Sequence, residues 1–393
     1  MMTNWLFWMI AFSSLSAHAV SLDSAIQDAV RQSNYVKAQE VSANIAANDR
    51  WRRFLVHEPS FSYSNSDNGA EESYGLSLTT PFVGKSLAFM ELDHAKAKAE
   101  AVEIQSKRQD LAKLITDSYL DCASGLALLD IQKTALSDLE TMFRSLTAMY
   151  ESGHASQAER IGTDLQMRQT RSEVRAAADK TDVSCRKWHI LVGDENSVPD
   201  KIPEDLSHDT LEMLGNQSAD LSRGEAALKM ANVNDDLRWW SAAPDLTWSY
   251  QRNHYVNLGA SPILTPWTTT YGVSVTVPIF FLFDESIEAK RAKAQNAFDR
   301  HNAEVSVLNA RNDEEDAARE YQRSKKRIQE LRDKDIALAE ALVESTFASY
   351  KTGKLGFAEL MLSRKTLWDL KTQEVQLKIA AVQARLKCLL KCE

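Results

Sequence analysis

The segment YGLSLTTPF (74–82) returns as YGVSVTVPIF (271–280), 197 residues later, with Tyr, Gly, Ser, Thr and Pro at the same relative positions. Each copy alternates apolar and small polar side chains, the period of a β-strand with two unlike faces. Each also has a strand-like partner upstream. Phe61 and Tyr63 alternate with Ser62 and Ser64 before the turn-rich NSDNG, and Leu246, Trp248 and Tyr250 alternate with Thr247 and Ser249 before a longer loop. The chain therefore carries two hairpins, 59–82 and 244–280.

Two hairpins constrain the fold severely. An isolated hairpin is marginal in water, and four strands still leave two edges open. A bilayer tolerates no open edge, whereas a closed barrel satisfies every backbone group. Single-chain barrels begin at about 8 strands, so four strands close only with strands of other subunits. The alternation assigns the faces. Leu246, Trp248, Val273, Val275 and Val277 form a lipid face, with Tyr250 and Tyr271 near the girdles, while the Ser and Thr positions face water. A small soluble sheet packed on helices is the alternative.

Each hairpin is followed by a long Pro-free helical run, 85–150 and 285–350, in a chain with only 13 Gly and 8 Pro. Some 60 residues of helix span roughly 90 Å, more than a globular domain holds, which implies a coiled coil or helical bundle. The breaks repeat as well. YESGHASQAER (150–160) matches YKTGKLGFAEL (350–360), with Tyr, Gly, Ala and Glu coinciding at an offset of 200. Further helices are read at 21–55, 157–191 and 357–390, and the polar stretch 193–210, with Pro199 and Pro203, is the linker. The organisation is an internal two-fold repeat: residues 20–192, then the linker, then 211–393, each repeat ordered as helix, hairpin, long helix and helix.

Residues 1–19 read as a signal peptide, an apolar run from Trp5 to Phe12 followed by Ala17-His18-Ala19. No later segment holds about 18 consecutive apolar residues, so no transmembrane helix is expected. A net charge of -9 does not favour a nucleic-acid partner. The eight His are scattered, no motif supports an enzyme, and no cofactor or metal site is read.

In order, spacing and duplication these segments resemble the TolC-like outer-membrane efflux proteins. SLDSAIQDAVRQSN (21–34) is similar to that family's opening helix. YGVSVTVPIFFLFDESIEAKRAKAQ (271–295) is similar to its strand, Pro, bulky residues and Ala-rich helix, and YKTGKLGFAELMLSRKTL (350–367) to its Tyr-x-x-Gly turn. LVGDENSVPDKIP (191–203) resembles the Leu-x-Gly linker between its halves. The resemblance implies a mixed α/β membrane protein, a homotrimer whose twelve-stranded transmembrane β-barrel, four strands per chain, continues into a long periplasmic α-helical barrel. It implies residence in the outer membrane of a Gram-negative bacterium, contact with outer-membrane lipid, and a passive channel fed by an inner-membrane pump through a periplasmic adaptor. A periplasmic coiled-coil scaffold or adaptor without a channel is the competing reading.

The periplasmic entrance is expected at the two breaks. Glu359 matches the family's acidic position after the second turn, Leu362 stands where a second acid is usual, and Glu159 is the equivalent in the first copy. A solvated helix-start glutamate is the alternative role for each. Tyr150, Gly153, Tyr350 and Gly353 are the adaptor-contact candidates; closing each turn is their alternative role. Cys122 lies 31 residues before Gly153 and Cys185 lies 32 after it, so a fold-back at Gly153 brings them to one height and makes them disulfide candidates in an oxidising compartment. Cys388 and Cys392 share one face of the last helix and either bond or stay reduced.

Overall fold

The computed structural model describes residues 18–34, 36–42, 44, 59–65, 71–153, 155–241, 243–255, 267–276 and 287–392. Val277, nearly all of the signal-peptide reading and the two hairpin tips (66–70 and 256–266) lie outside the described residues. The chain divides into two compact units, and each unit draws on both sequence repeats. One comprises residues 33–107 and 218–312, the other residues 1–32, 108–217 and 313–393.

The first of these is the sheet unit. It holds β2 (Ser60–Asn65), β3 (Glu71–Pro81), β5 (Asp245–Tyr255) and β6 (Trp267–Thr276), in the order β2-β3-β5-β6, every neighbour antiparallel. The central pairing, β3 with β5, joins strands from different repeats. The registers Phe61↔Leu76, Leu76↔Tyr250, Leu78↔Trp248, Trp248↔Val273 and Leu246↔Val275 stack the apolar positions of all four strands on one face. Ser62↔Gly75, Ser77↔Ser249, Thr79↔Thr247 and Thr247↔Ser274 line the other.

Helices flank this sheet in sequence. α2 (Val83–Glu151) begins two residues after β3. Its Lys85 ammonium lies 2.8 Å from both carboxylate oxygens of Asp245, the first residue of β5, and so fixes the start of the helix to the start of a strand. Gly84 is required where it stands, because a Cβ there would fall on the indole of Trp240. That indole belongs to α5 (Ala219–Ser241) and stacks on Phe82 with centroids 6.4 Å apart. Within the unit, Leu92 and Ala95 of α2 bury against Val233 of α5, and Leu221 buries against Val307 and Ala310 of α6 (Ile287–Glu330).

The helical unit has its largest core around α1 (Leu22–Gln32), the middle of α2, α3 (Gln157–Val192) and α4 (His208–Leu214). Leu22, Ile26, Ile115, Tyr119, Trp188, Leu211 and Leu214 are its buried members, with the Tyr119 and Trp188 rings edge to face at 5.3 Å. α1 ends at Gln32 as a described element, within the 21–55 read as one helix from sequence.

The linker is pinned rather than loose. Its strand β4 (Ser197–Pro199) pairs in parallel with β1 (His18–Val20), and Asp23 accepts hydrogen bonds from the Ser207 N–H (3.0 Å) and hydroxyl (2.8 Å). Asp205 accepts from the Tyr321 hydroxyl at 2.7 Å and pairs with the nearly buried Arg385 at 3.1 Å.

The second long run is not one regular helix. A π-helical turn, Leu331–Ile336, separates α6 from α7 (Ala337–Lys351). Arg332 within it bridges Glu204 of the linker at 2.8 Å and Glu374 of α8 (Phe357–Cys388) at 3.0 Å. A local widening of the helix re-aims the side chain it carries, and here that side chain ties three segments together. α8 gives way to a 3-10 turn, Leu389–Cys392.

Candidate functional site

The two breaks have the same build. Gly153 (φ 76°) and Gly353 (φ 68°) both occupy the left-handed region, and their N–H groups donate back to the carbonyls of Tyr150 (3.0 Å) and Tyr350 (2.9 Å). A β-carbon at either glycine would meet open space, so backbone conformation rather than crowding requires glycine here.

Immediately after each turn a glutamate caps the next helix. The Glu159 carboxylate accepts from the Ser156 N–H at 2.8 Å, while the Ser156 hydroxyl accepts from the Glu159 N–H at 3.2 Å, a reciprocal capping box. In the second repeat Glu359 accepts from the Gly356 N–H at 2.6 Å, but Gly356 has no side chain with which to answer. Both carboxylates thus complement the positive end of a helix. Leu362, one turn further on, is 67% exposed.

The two tyrosines differ. Tyr350 is only 8% exposed and packs with Met142, Leu146 and Leu360, its ring 6.2 Å from that of Phe357. Burial pushes its phenol upward in pKa, and the Glu159 charge adds to the shift. Tyr150 is 37% exposed, with the Arg160 guanidinium 5.0 Å over its ring. Residues from both turns, including Met149, Ala155, Phe347 and Phe357, gather in this one cluster.

In the sheet unit, the face carrying Leu246, Trp248, Tyr271, Val273 and Val275 is open in the single chain: Phe61 is 81% exposed and Tyr271 79%. Paired tyrosines stand toward the hairpin-loop end, Tyr63 with Tyr74 at 5.3 Å and Tyr250 with Tyr271 at 5.5 Å. The exposed Phe82 and Trp240 stand toward the helix end. Beyond the tyrosines, Arg252 lies 4.4 Å over the Trp267 ring and His254 stacks on the same ring at 4.1 Å. The opposite face offers hydroxyls, as in the Ser60–Ser77 (2.6 Å) and Thr79–Thr247 (3.1 Å) pairs. Alternation alone locates the faces. The Lys85–Asp245 bridge, the Phe82–Trp240 stack and the Arg252–Trp267–His254 cluster escaped the sequence reading because they depend on which strands and helices lie side by side.

Cys122 and Cys185 form a disulfide, Cα–Cα 4.6 Å, and Cys388 and Cys392 form another, Cα–Cα 5.6 Å. Among the described residues no group of three or more His, Cys, Asp or Glu side chains is placed to hold a metal ion, and no helix is long and apolar enough to cross a membrane.

Comparison with solved structures places the architecture. The chain superposes on CusC, described in terms of transmembrane channel formation, with a TM-score of 0.70 at 16% identity over 94% of this chain and 91% of that one. VceC, an outer membrane protein of Vibrio cholerae, matches at 0.71 and 15% identity over 94% and 95% of the two chains. The open-state MtrE outer membrane channel of Neisseria gonorrhoeae matches at 0.66 and 14% over 94% and 88%. No protein-family model and no curated protein sequence matches the chain. At these identities the likeness establishes the fold, and the chain has the fold of the TolC-like outer-membrane channels.

Proposed function

We propose that this chain is the outer-membrane exit duct of a tripartite efflux or secretion system. It acts as a homotrimer, and cargo handed over by an inner-membrane pump and a periplasmic adaptor passes through it passively. The observation that carries this reading is the four-stranded sheet. Its outer strands, β2 and β6, have no second neighbour among the described residues, one face is apolar and exposed, and the other is lined by hydroxyls. In water such a sheet exposes a large apolar patch and two templating edges. Three copies edge to edge form a twelve-stranded ring with lipid outside and water inside, which removes both problems. The tyrosine pairs at one end of the apolar face and Phe82 with Trp240 near the other match the aromatic girdles of such barrels.

On this reading most of the chain is periplasmic, and the turns at Gly153 and Gly353 form the entrance and the adaptor-facing surface. Residues 1–19 are a removed export signal, so only Val20 of β1 remains in the mature chain and the linker is held there by the Asp23–Ser207 and Asp205–Tyr321–Arg385 contacts. Glu159 and Glu359 line that entrance while capping their helices. Tyr150 has ring area left for a partner, whereas Tyr350 holds the turns together from inside. The duct performs no chemistry; the pump supplies the energy. A coiled-coil scaffold or adaptor would leave the apolar face of the sheet in water, so the sheet favours the channel. Fractionation of native cells followed by planar-bilayer recording tests the proposal. A detergent-extracted outer-membrane protein that conducts supports it, and one released by osmotic shock that does not conduct refutes it.

A further inference from the structure

The loop end of the apolar sheet face carries Arg252, opposite Tyr74 and beyond the aromatic and aliphatic side chains of Leu76, Leu78, Trp248 and Tyr250. The registers Tyr74↔Arg252, Glu72↔His254 and His254↔Trp267 put Arg252, His254 and Trp267 on the same face as Leu246 and Trp248. Trp267 is in contact with both basic groups, the Arg252 guanidinium carbon 4.4 Å from its ring centroid and the His254 imidazole stacked at 4.1 Å. The one carboxylate described beside them, Glu72, is already engaged. It accepts from the Tyr74 hydroxyl at 3.3 Å and stands 4.0 Å from His254 Nδ1. Arg252 has no carboxylate partner among the described residues and is exposed.

We propose that Arg252, packed over the Trp267 ring and flanked by His254, docks the phosphate of an anionic lipid headgroup at the outer rim of the barrel. The inference rests on the membrane reading of the sheet. Arg252 lies six residues from Leu246, roughly 20 Å along the strand, beyond the Tyr250–Tyr271 pair that marks the interface. What stands beside it there is the headgroup layer rather than acyl chain. A planar guanidinium presents paired N–H donors that match phosphate oxygens, and stacking on an indole fixes its orientation while leaving its edge open. Lipid phosphate is the anion that a lipid-facing position meets at this depth.

The test uses the full-length protein extracted from membranes. Native mass spectrometry follows retention of lipid A and of dephosphorylated lipid A on the wild type, Arg252→Gln and Trp267→Leu, after each protein is checked for alkali-resistant membrane insertion. The proposal predicts that the wild type prefers the phosphorylated lipid and that Arg252→Gln weakens its retention on the order of tenfold. Trp267→Leu should weaken it less, and dephosphorylated lipid should be held equally by all three. Should Arg252→Gln fail to insert, Trp267→Leu decides alone. Equal retention of both lipids by inserted wild-type protein, or undiminished retention by the variants, overturns the docking site and leaves the channel reading intact. Failure of the wild type to insert overturns both.

Discussion

Cys122 of α2 and Cys185 of α3 are covalently joined with their Cα atoms 4.6 Å apart, one helix-turn from the edge-to-face pair Tyr119–Trp188. The bond staples the first helical hairpin at the end remote in sequence from its Gly153 turn, inside the main core. It closes a sequence separation of 63 residues, for which loop entropy gives roughly 4 kcal/mol of stabilisation. The double variant Cys122→Ser/Cys185→Ser should therefore melt lower than the wild type, with the gap disappearing under reductant. Peptide mapping without reduction should recover the 122–185 pair. Free thiols at both positions in protein from an oxidising compartment would remove the staple.

The faces of β6 make a paired prediction. Val273 and Val275 share a face with Leu246 and Trp248, whereas Ser274 lies opposite them beside Thr247. Val275→Asp places charge on the proposed lipid side, a cost below the roughly 2–4 kcal/mol that Arg or Lys incurs at the midplane, and should lower the membrane yield. Ser274→Asp should insert and assemble normally. Equal membrane yields from the two variants would reverse or erase the facing.

Glu359 gives half a capping exchange, and Glu159 a whole one. Replacing Glu359 by Gln keeps an acceptor for the Gly356 N–H, so folding should change little, about 1 kcal/mol or less. If the carboxylate lines the entrance, single-channel recording will show reduced cation selectivity. Unchanged conductance and selectivity would leave Glu359 with the cap alone.

Acid should loosen the clamp at the π-helical turn. Burial on its own raises the Glu374 pKa, but Lys378 and Arg332 outweigh it and hold the carboxyl below its usual value of 4.5. A depressed carboxylate stabilises the fold fully above its unfolded-state value, and that contribution is lost as pH falls through the folded value. Between roughly pH 5 and 3 the wild type should lose more stability than Glu374→Gln, by a modest amount because Arg332 is half exposed. Parallel acid-denaturation curves for the two proteins would contradict the clamp.

Adaptor contact should map to the turns. Photo-crosslinkers at Ser152 and Thr352, both exposed and next to the glycines, should capture a periplasmic adaptor, and one at Phe61 on the sheet should not. Capture from Phe61 but from neither turn would move the contact surface elsewhere.

Much of the fold was legible because both periods in the chain are strong. Alternation at 74–80 and 271–277 marks strands and their faces, and the Pro-free runs mark helices whose observed bounds, Val83–Glu151 and Gln157–Val192, lie within two residues of the sequence limits. What stayed hidden depends on partners distant in sequence. Asp205 reads as one acid in a polar linker, yet it pairs with Tyr321 and Arg385, 116 and 180 residues away. LRDKDI carries no Gly or Pro to announce a π turn, and a pattern that averages over helical turns does not register one widened turn. At the candidate entrance the glutamates were visible from the repeat, but the burial of Tyr350 and exposure of Tyr150 were not, since the matching positions are identical in sequence and differ only in what packs on them.

The central claim, that three copies close one barrel, is tested most directly by single-particle imaging of the protein extracted from outer membranes. The account predicts a three-fold particle in which β6 of each chain pairs with β2 of the next to complete a continuous twelve-stranded ring around an aqueous lumen. A monomer, or an assembly in which the strand edges of neighbouring chains do not meet, would contradict it.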